Sequence, residues 1–406
     1  MRNLRRFLSF LSVAVLLLSV SCRRSGVVAS VSEKKLFSLK YGSFEDELNL
    51  FNLSQAGDVR TYMAMRDGFF YVANGEAKKI MELNSYGDLL TLYYNDEAGG
   101  APSFAHDNAE NSTKRAVAYP FNTLGPVAVD SRKYLYAVDA LPPERQEVDV
   151  GKRLQLRHAV LRFADDGSFL DYLGQEGPGG TPFPYIRALY ATNANELVVV
   201  CVTNDGPVVY WFGDNGFLRY TVPITAATVP NPYKDSAEDS VYISIENVIP
   251  DLVERRLYLK IDYFANTLDS ALKVQSGVEY QHTLLYPLDV ATGRYGAPLD
   301  IPAYEGTVAE GLGTDTYQMP YDFLGVTESG WFFFSVPTDK GFQVQMVQPN
   351  GQRILRRTLG ARHGDILYYV MHLDEEGILS ALFVKRDEAE VGWWRTDILV
   401  DAFVTE

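Results

Sequence analysis

Short apolar segments alternate with tight polar turns in residues 188–222. Three turns rich in Asn, Asp, Thr and Gly divide this stretch into four segments filled by Val, Tyr, Phe and Trp. That composition is typical of antiparallel strands joined by short turns. The second and third segments, residues 196–202 and 207–212, are apolar on both faces, whereas a sheet with one solvated face would alternate. The pattern predicts a four-stranded sheet that other sheets cover on both sides.

The second segment of this unit recurs along the chain. Each copy follows a tight polar turn, and most copies lead into a third strand that ends in a Gly turn, such as Asn215-Gly216 or Asn350-Gly351. These turn residues tolerate positive φ angles. The six copies are residues 69–72, 134–138, 197–200, 256–259, 331–334 and 378–383.

Six sheets that are apolar on both faces predict an all-β fold, a six-bladed β-propeller of four-stranded antiparallel sheets. Stacking each sheet on its neighbours buries both faces, and closing the ring leaves no exposed end face. The consensus of an apolar strand, an Asp-Gly or Asn-Gly turn and a following strand with Leu and Tyr resembles NHL-type six-bladed propellers over most of residues 35–406. A ring of seven blades with one unrecognised blade is the alternative.

The ends of the chain suggest how the ring closes. The last copy has three strands, which we place at residues 366–373, 378–385 and 393–403, and it lacks a fourth. Residues 36–40 form a strand-like segment with no blade of its own. We predict that this N-terminal strand closes the last blade, so that deletion of residues 35–41 would open the ring.

The first 22 residues have the features of a targeting segment. A start with three Arg residues leads into 14 apolar residues, too few to span a bilayer comfortably, and then into small residues before Cys22. The segment Ser19-Val20-Ser21-Cys22 resembles a bacterial lipobox in the loose form of spirochaetal lipoproteins, because Leu18 lies one place earlier than usual. Ordinary signal-peptidase cleavage is the alternative.

The lipobox resemblance implies a signal peptide over residues 1–21 and a lipidated Cys22 with a tether over 22–34. The repeated strands predict one propeller domain over 35–406. Acyl chains such as palmitate would hold the protein on a membrane of the cell envelope, facing the periplasm or the exterior. The net charge of −15 argues against nucleic acid as a partner. Cys22 and Cys201 are the only cysteines, so no Cys-based metal site can form.

The predicted insertions all fall on one face of the propeller. They connect second to third strands, or one blade to the next, and these connections share one face. Long insertions on a rigid scaffold often carry function, although neutral tolerance of insertions is the other explanation. The insertions are residues 91–126, 139–157, 174–185, 223–240, 262–281 and 301–320.

Proline and aromatic residues stand together near the start of several blades. Proline stiffens a loop and aromatic rings supply contact area with little entropy to lose, a combination that is common at binding surfaces. The same residues would also serve to pack the insertions onto the propeller. The candidates for partner binding are Tyr119, Phe121, Phe183, Tyr185, Tyr233 and Tyr321.

A second set of polar residues lies near the entry of the innermost strands, where an axial pocket would form. A divalent cation there would need three or more oxygen ligands, and two arginines would repel it. The set suits a structural ring of ion pairs or a pocket for an anion or a sugar, and we predict no metal and no cofactor. The axial candidates are Arg60, Asn122, Arg187, Asp239, Asp322 and His363.

The sequence therefore predicts a monomeric, membrane-anchored lipoprotein that binds a protein or peptide partner, for example in assembly of the cell envelope. The partner would bind at the face that carries the long insertions. No nucleophile or metal-ligand motif is present, which favours binding over catalysis. The alternative is an enzyme that handles a carbohydrate or small molecule in the axial pocket, and a third possibility is a purely structural envelope protein. Propellers support many functions, so the fold does not choose among these.

Overall fold

The structure, a computed structural model, describes residues 30–50, 60–105, 113–233, 241–268, 275–310, 313–361 and 366–404. The described residues form six β-sheets arranged as the blades of a propeller, as the sequence predicts, and the seven-bladed alternative is wrong. The chain begins with β1 (Ser30–Val31) and β2 (Lys34–Lys40). Blade 1 contains β3 (Thr61–Arg66), β4 (Phe69–Asn74), β5 (Lys79–Leu83) and β6 (Leu89–Tyr94), followed by helix α1 (Asp96–Gly99) and an added strand β7 (Arg115–Ala118).

Blade 2 contains β8 (Leu124–Val129), β9 (Leu135–Ala140), an inserted 3-10 turn (Pro143–Arg145) and hairpin β10 (Glu147–Asp149) and β11 (Leu154–Leu156), then β12 (His158–Phe163), β13 (Phe169–Gly174) and β14 (Gly177–Pro178). Blade 3 contains β15 (Tyr185–Ala191), β16 (Leu197–Thr203), β17 (Gly206–Phe212) and β18 (Leu218–Pro223). Blade 4 contains β19 (Val241–Pro250), β20 (Arg256–Leu268), β21 (Gln275–Asp289) and β22 (Leu299–Asp300).

A separate hairpin of β23 (Tyr304–Glu310) and β24 (Gly313–Met319) precedes blade 5. Blade 5 contains β25 (Asp322–Val326), β26 (Phe332–Thr338), β27 (Gly341–Val347) and β28 (Ile354–Gly360). Blade 6 contains β29 (Ile366–Leu373), β30 (Leu379–Lys385) and β31 (Glu388–Trp394), and helix α2 (Asp397–Val404) ends the described chain.

The N-terminal strand closes the ring, as predicted. Strand β2 pairs antiparallel with β31 and supplies the fourth strand of blade 6. Strand β1 pairs in parallel with β28 at the outer edge of blade 5. The third strand of the last blade differs from the prediction of 393–403: it lies at Glu388–Trp394, and the residues after it form α2. One face of this helix packs against blades 5 and 6, and its Val400 is fully buried in the cluster between them.

Each interface between neighbouring blades holds one hydrophobic cluster. Alternate residues of the same strand enter different clusters. In β4, Phe70 and Val72 pack between blades 6 and 1, whereas Tyr71 and Ala73 pack between blades 1 and 2. This period of two explains why the second strand of a blade is apolar on both faces.

Strand order places the connections between second and third strands, and between successive blades, at one end of the propeller, which we call the long-insertion face. The described parts of the predicted insertions lie at this face, and several of them are β-structure and not loop. The described residues 262–268 and 275–281 continue β20 and β21 as a paired, antiparallel extension. Residues 301–320 contain the hairpin of β23 and β24, and residues 139–157 contain that of β10 and β11.

Candidate functional site

A recess of about 430 Å³ opens on the long-insertion face where blades 1, 2 and 3 meet. Blade 1 contributes Tyr62 from its innermost strand and Arg60 just before it. Blade 3 contributes Tyr185, the first residue of β15. The remaining wall comes from blade 2 and from the insertion with β10 and β11. Polar residues of that wall are Asn122, Thr123, Gln146, Arg157 and His158.

The turn at Asn122 and Thr123 is fixed from behind by Asp139. Both backbone N–H groups donate to the Asp139 carboxylate, at N···O distances of 2.6 to 3.1 Å. Burial raises the pKa of Asp139 to about 6, and the hydrogen bonds from Asn122 and Thr123 act in the opposite direction. The Asn122 side chain donates to the carbonyl oxygen of Ala140 at 2.8 Å. The position of Asn122 in the wall is therefore set by the second strand of its own blade.

His158 is 9% exposed and begins β12. Its Nδ1 lies 2.9 Å from the carbonyl oxygen of Pro184. A carbonyl only accepts, so Nδ1 carries the proton and Nε2 is the acceptor of the neutral ring. Burial lowers the pKa of His158, and Arg157 acts in the same direction, whereas the bond to Pro184 raises it. The His158 ring meets Tyr185 edge to face, with centroids 5.6 Å apart.

The charge of the recess is opposite to that of the whole chain. Arg60 and Arg157 line it, and the described residues of its wall include no Asp or Glu. Neither arginine forms an ion pair with another described residue. The chain as a whole has a net charge of −15. A small cavity with cationic, aromatic and amide groups suits an anionic ligand with polar substituents.

A central channel of about 280 Å³ adjoins the recess, and the innermost strands of all six blades line it. Tyr62 and Pro126 line both cavities. Arg187 lines the channel at a β-bulge of β15. At the far end, Arg66 Nε lies 3.1 Å from Glu375 Oε1, and burial lowers the pKa of His372 to about 4.

The structure brings together some of the predicted axial residues. Arg60 and Asn122 share the recess, and Arg187 lies in the adjoining channel. Asp322 begins β25 and lies near Lys260 of blade 4, away from the recess. Asp239 and His363 lie outside the described residues, as does Cys22.

Most of the predicted partner-binding aromatics pack into the propeller. Phe121, Phe183 and Tyr321 are at most 1% exposed, so their rings are not available on the surface. Tyr119 and Tyr233 are half-buried, and each packs against other aromatic rings. Tyr185 is 49% exposed at the recess. The sequence also allowed these residues a packing role. The three buried rings have that role in the structure.

Sequence reasoning did not identify Arg157, Tyr62 or His158 as residues of a site. Their positions along the chain were the available signal. Arg157 and His158 stand at the end of one insertion and Tyr185 at the end of another, and both insertions lie on the same face. Among the described residues, no group of three or more His, Cys, Asp or Glu side chains is placed to hold a metal ion. Cys201 is buried, and burial raises its pKa well above the usual value. No helix in the described part of the chain is long and apolar enough to cross a membrane.

Comparison with known proteins finds only weak structural similarity. No protein-family model and no curated protein matches the sequence. Among solved structures, a PL25 ulvan lyase is 11% identical, with 88% of this chain and 95% of that chain covered and a TM-score of 0.42. A gluconolactonase from Xanthomonas campestris is 11% identical, with 91% and 98% covered and a TM-score of 0.37. A streptogramin B lyase is 11% identical, with 84% and 95% covered and a TM-score of 0.35.

Proposed function

We propose that this propeller binds a small anionic molecule, such as a sugar acid, in the recess between blades 1, 2 and 3. The observation that carries the proposal is the pair Arg60 and Arg157 in a recess whose described lining residues include no carboxylate. In a chain with a net charge of −15, two arginines in one recess provide a local positive charge that attracts an anion. Its volume of about 430 Å³ is within the range of ordinary small-molecule sites.

The other groups of the recess suit a ligand with hydroxyl groups. The neutral His158 ring offers Nε2 as an acceptor, and the exposed Tyr185 ring offers an apolar face. A neutral imidazole also accepts protons in catalysis. Turnover of a bound acid is therefore the natural extension of this proposal, in line with the enzyme alternative from the sequence.

Calorimetric titration of the full chain in detergent tests the proposal. The probes are D-glucuronate, D-galacturonate and inorganic sulfate, with D-glucose as the neutral reference. We expect the acids to bind more tightly than glucose. The double substitution Arg60→Gln and Arg157→Gln should weaken acid binding by at least about tenfold, the value of one charge-assisted hydrogen bond.

The matched control is Arg294→Gln, because Arg294 is exposed on the opposite face of the propeller. This variant should bind the acids like the unchanged protein. Acids that bind no better than glucose, or a double variant that matches the control, would refute the proposal.

A second candidate function is the binding of a protein or peptide partner through the long-insertion face. It is favoured by the extension of β20 and β21 and by the β23–β24 hairpin, which expose large apolar side chains, among them Val278 at 58%, Val308 at 54% and Tyr317 at 44%. Recovery of a partner from solubilised envelope by the full chain, and not by a chain with the β23–β24 hairpin and residues 262–281 shortened, would support it. Equal recovery by both would refute it.

We further propose, from the sequence alone, that Cys22 carries the lipid anchor and that the propeller is of the NHL type. The anchor would place the long-insertion face within reach of envelope components.

A further inference from the structure

Blade 4 extends well beyond the other blades and forms a projecting sheet. Its strands β19, β20 and β21 contain 10, 13 and 15 residues, whereas the full strands of blade 3 contain 6 or 7. We call residues 241–245, 262–268 and 275–283 the arm. Seven extra residues in a strand amount to roughly 23 Å of length. The arm is a three-stranded antiparallel sheet throughout most of its length.

The two faces of the arm differ. Ile243, Ile245 and Tyr263 lie on one face and pack into the cluster between blades 3 and 4. Residues of the opposite face follow Tyr258 and Leu285, which contact blade 5 lower in the same strands. That opposite face carries Tyr242, Phe264, Val278 and Tyr280 by the alternation of the strands.

Three rings form a row across this second face, one from each strand. The centroids of Tyr242 and Phe264 are 6.4 Å apart, and those of Phe264 and Tyr280 are 6.0 Å apart. Tyr242 is 61% exposed and Val278 is 58% exposed. Phe264 and Tyr280 are half-buried, so the row is partly exposed. Aromatic rings at a surface supply contact area for a partner and attract cations.

An acidic group of side chains lies at the foot of the row. Lys260 donates to Asp262 at 2.5 Å, and both side chains are 2% exposed. Thr283 donates to the second oxygen of Asp262 at 2.6 Å, and Tyr280 lies 2.9 Å from Thr283.

The foot contains more carboxylates than cations. Partial burial raises the pKa of Asp322, which Lys260 lowers and Glu246 raises, so Glu246 and Asp322 both belong to this neighbourhood. Among the described residues, Asp262, Glu246 and Asp322 thus lie in the neighbourhood of Lys260, and Asp262 already pairs with its ammonium group. The neighbouring hairpin adds exposed Glu305 and Asp315, and residues 304–319 contain no Lys or Arg. The charge around the aromatic row therefore favours a cationic occupant.

The arm also has a free backbone edge. In the described sheet of blade 4, β19 is an edge strand whose strand neighbour is β20. Its residues 241–245 form the first half of the strand, at the long-insertion face, where one side of the strand packs into the cluster between blades 3 and 4. An edge of this kind accepts an extended peptide as an additional strand.

We propose that the arm docks a basic, extended segment of a partner protein, which pairs with the edge of β19 and lays Lys or Arg side chains over the aromatic row. The inference rests on the second candidate function, partner binding, and is independent of ligand binding in the recess. Aromatic rings, carboxylates at their foot and an unpaired edge together define a site for a cationic strand.

The test uses fluorescence anisotropy with the full chain in detergent and labelled peptides of ten residues. One peptide alternates Arg with Val, and its matched control alternates Glu with Val. We expect the basic peptide alone to bind, with affinity that falls as salt is added. Tyr242→Thr and Asp322→Asn should each weaken binding about fivefold, the scale of one exposed cation–π contact or ion pair.

The control variant is Tyr86→Thr, which removes an exposed ring from the turn between β5 and β6 on the opposite face of the propeller and should leave binding unchanged. Amide hydrogen exchange over residues 241–245 should slow when the basic peptide binds. Equal binding of both peptides, no effect of Tyr242→Thr, or unchanged exchange at this edge would overturn the proposal. So would binding of a chitin oligosaccharide at these residues in place of the peptide, because the site would then be a glycan platform.

The pull-down separates the two levels of the argument. A partner recovered by the full chain and lost on shortening the hairpins, without binding of the basic peptide, would leave partner binding intact and refute the chemistry assigned to the arm. Failure of both experiments would refute both.

Discussion

Phe37 is the side chain through which the ring closure can be tested most directly. It lies in the closing strand β2, is 7% exposed, and meets Phe70 of blade 1 edge to face at 5.6 Å. Phe37→Ala should cost about 3 to 5 kcal/mol, the usual loss for a large aromatic side chain in a core. Because every 1.4 kcal/mol is tenfold, opening of the β2–β31 pair should become roughly 100-fold more frequent or more.

Hydrogen exchange resolved by peptide is the appropriate assay, because a single transition need not describe a chain of this size. We expect amide exchange in β31 to accelerate by that factor, with a much smaller change in β16 on the far side of the ring. Lys40→Ala is the control, because Lys40 lies at the exposed end of the same strand. If β16 and β31 accelerate equally, the closing strand is not a local latch and the reasoning fails.

A pair of glycine substitutions tests the same contact from blade 1. A Cβ at Gly87 would lie 2.8 Å from the Cβ of Phe37, whereas a Cβ at Gly68 meets no atom within 4 Å. Both glycines have positive φ, at +86° and +75°, so the backbone strain of an alanine is similar. Gly87→Ala should therefore accelerate exchange in β31 far more than Gly68→Ala. Equal effects would show that Phe37 does not rest on this turn.

Four further predictions concern buried charged side chains and the N-terminal targeting segment. Burial raises the pKa of Asp374 to about 7, so its ionisation lowers the stability of the fold as pH rises from about 4 to 7, and Asp374→Asn should flatten the thermal melting temperature over that range. Burial lowers the pKa of Lys79 to about 8, so stability should rise between pH 8 and 10.5, and Lys79→Met should abolish that rise in melts at each pH. Glu196 is 5% exposed and accepts hydrogen bonds from Trp211 and an arginine, so Glu196→Gln should cost about 1.5 to 3 kcal/mol in denaturant unfolding, whereas the exposed Glu254→Gln should change it by less than about 0.5 kcal/mol. Cys22→Ala should prevent incorporation of labelled palmitate and release the protein from membranes, as fractionation would show.

The number of blades was predictable because it depends on a repeated local pattern. Each second strand must bury both faces, so its apolar run is visible in the sequence alone, as Phe70 and Tyr71 illustrate by entering different clusters. The arm was not predictable in this way. Residues 262–268 alternate between a face packed in the cluster between blades 3 and 4 and an opposite face on which Asp262 is buried and Phe264 is partly exposed. No long apolar run therefore marks them as the paired strand that they form.

The recess was harder to predict because its residues are distant in sequence. Arg60, Arg157 and Tyr185 come from three blades and meet only when the ring forms. No period along the chain marks such a set. These residues share one feature, which is that each belongs to a strand or an insertion at the same face of the propeller. The order of the strands along the chain determines that face without reference to side chains.

The proline and aromatic pairs show how a repeated motif can indicate architecture where it also suggests binding. Phe121 packs between blades 1 and 2, Phe183 between blades 2 and 3, and Tyr321 between blades 4 and 5. Each ring stands just before the innermost strand of a new blade and fills the interface that this blade forms with the previous one. A preceding proline fixes the approach of the chain, so the ring enters its cluster at little cost in entropy. Repetition at successive interfaces is what a structural role requires, whereas a ligand site in a ring of unequal insertions needs residues that occur once. Arg157 and Tyr185 meet that condition in the recess, and Tyr242 meets it on the arm.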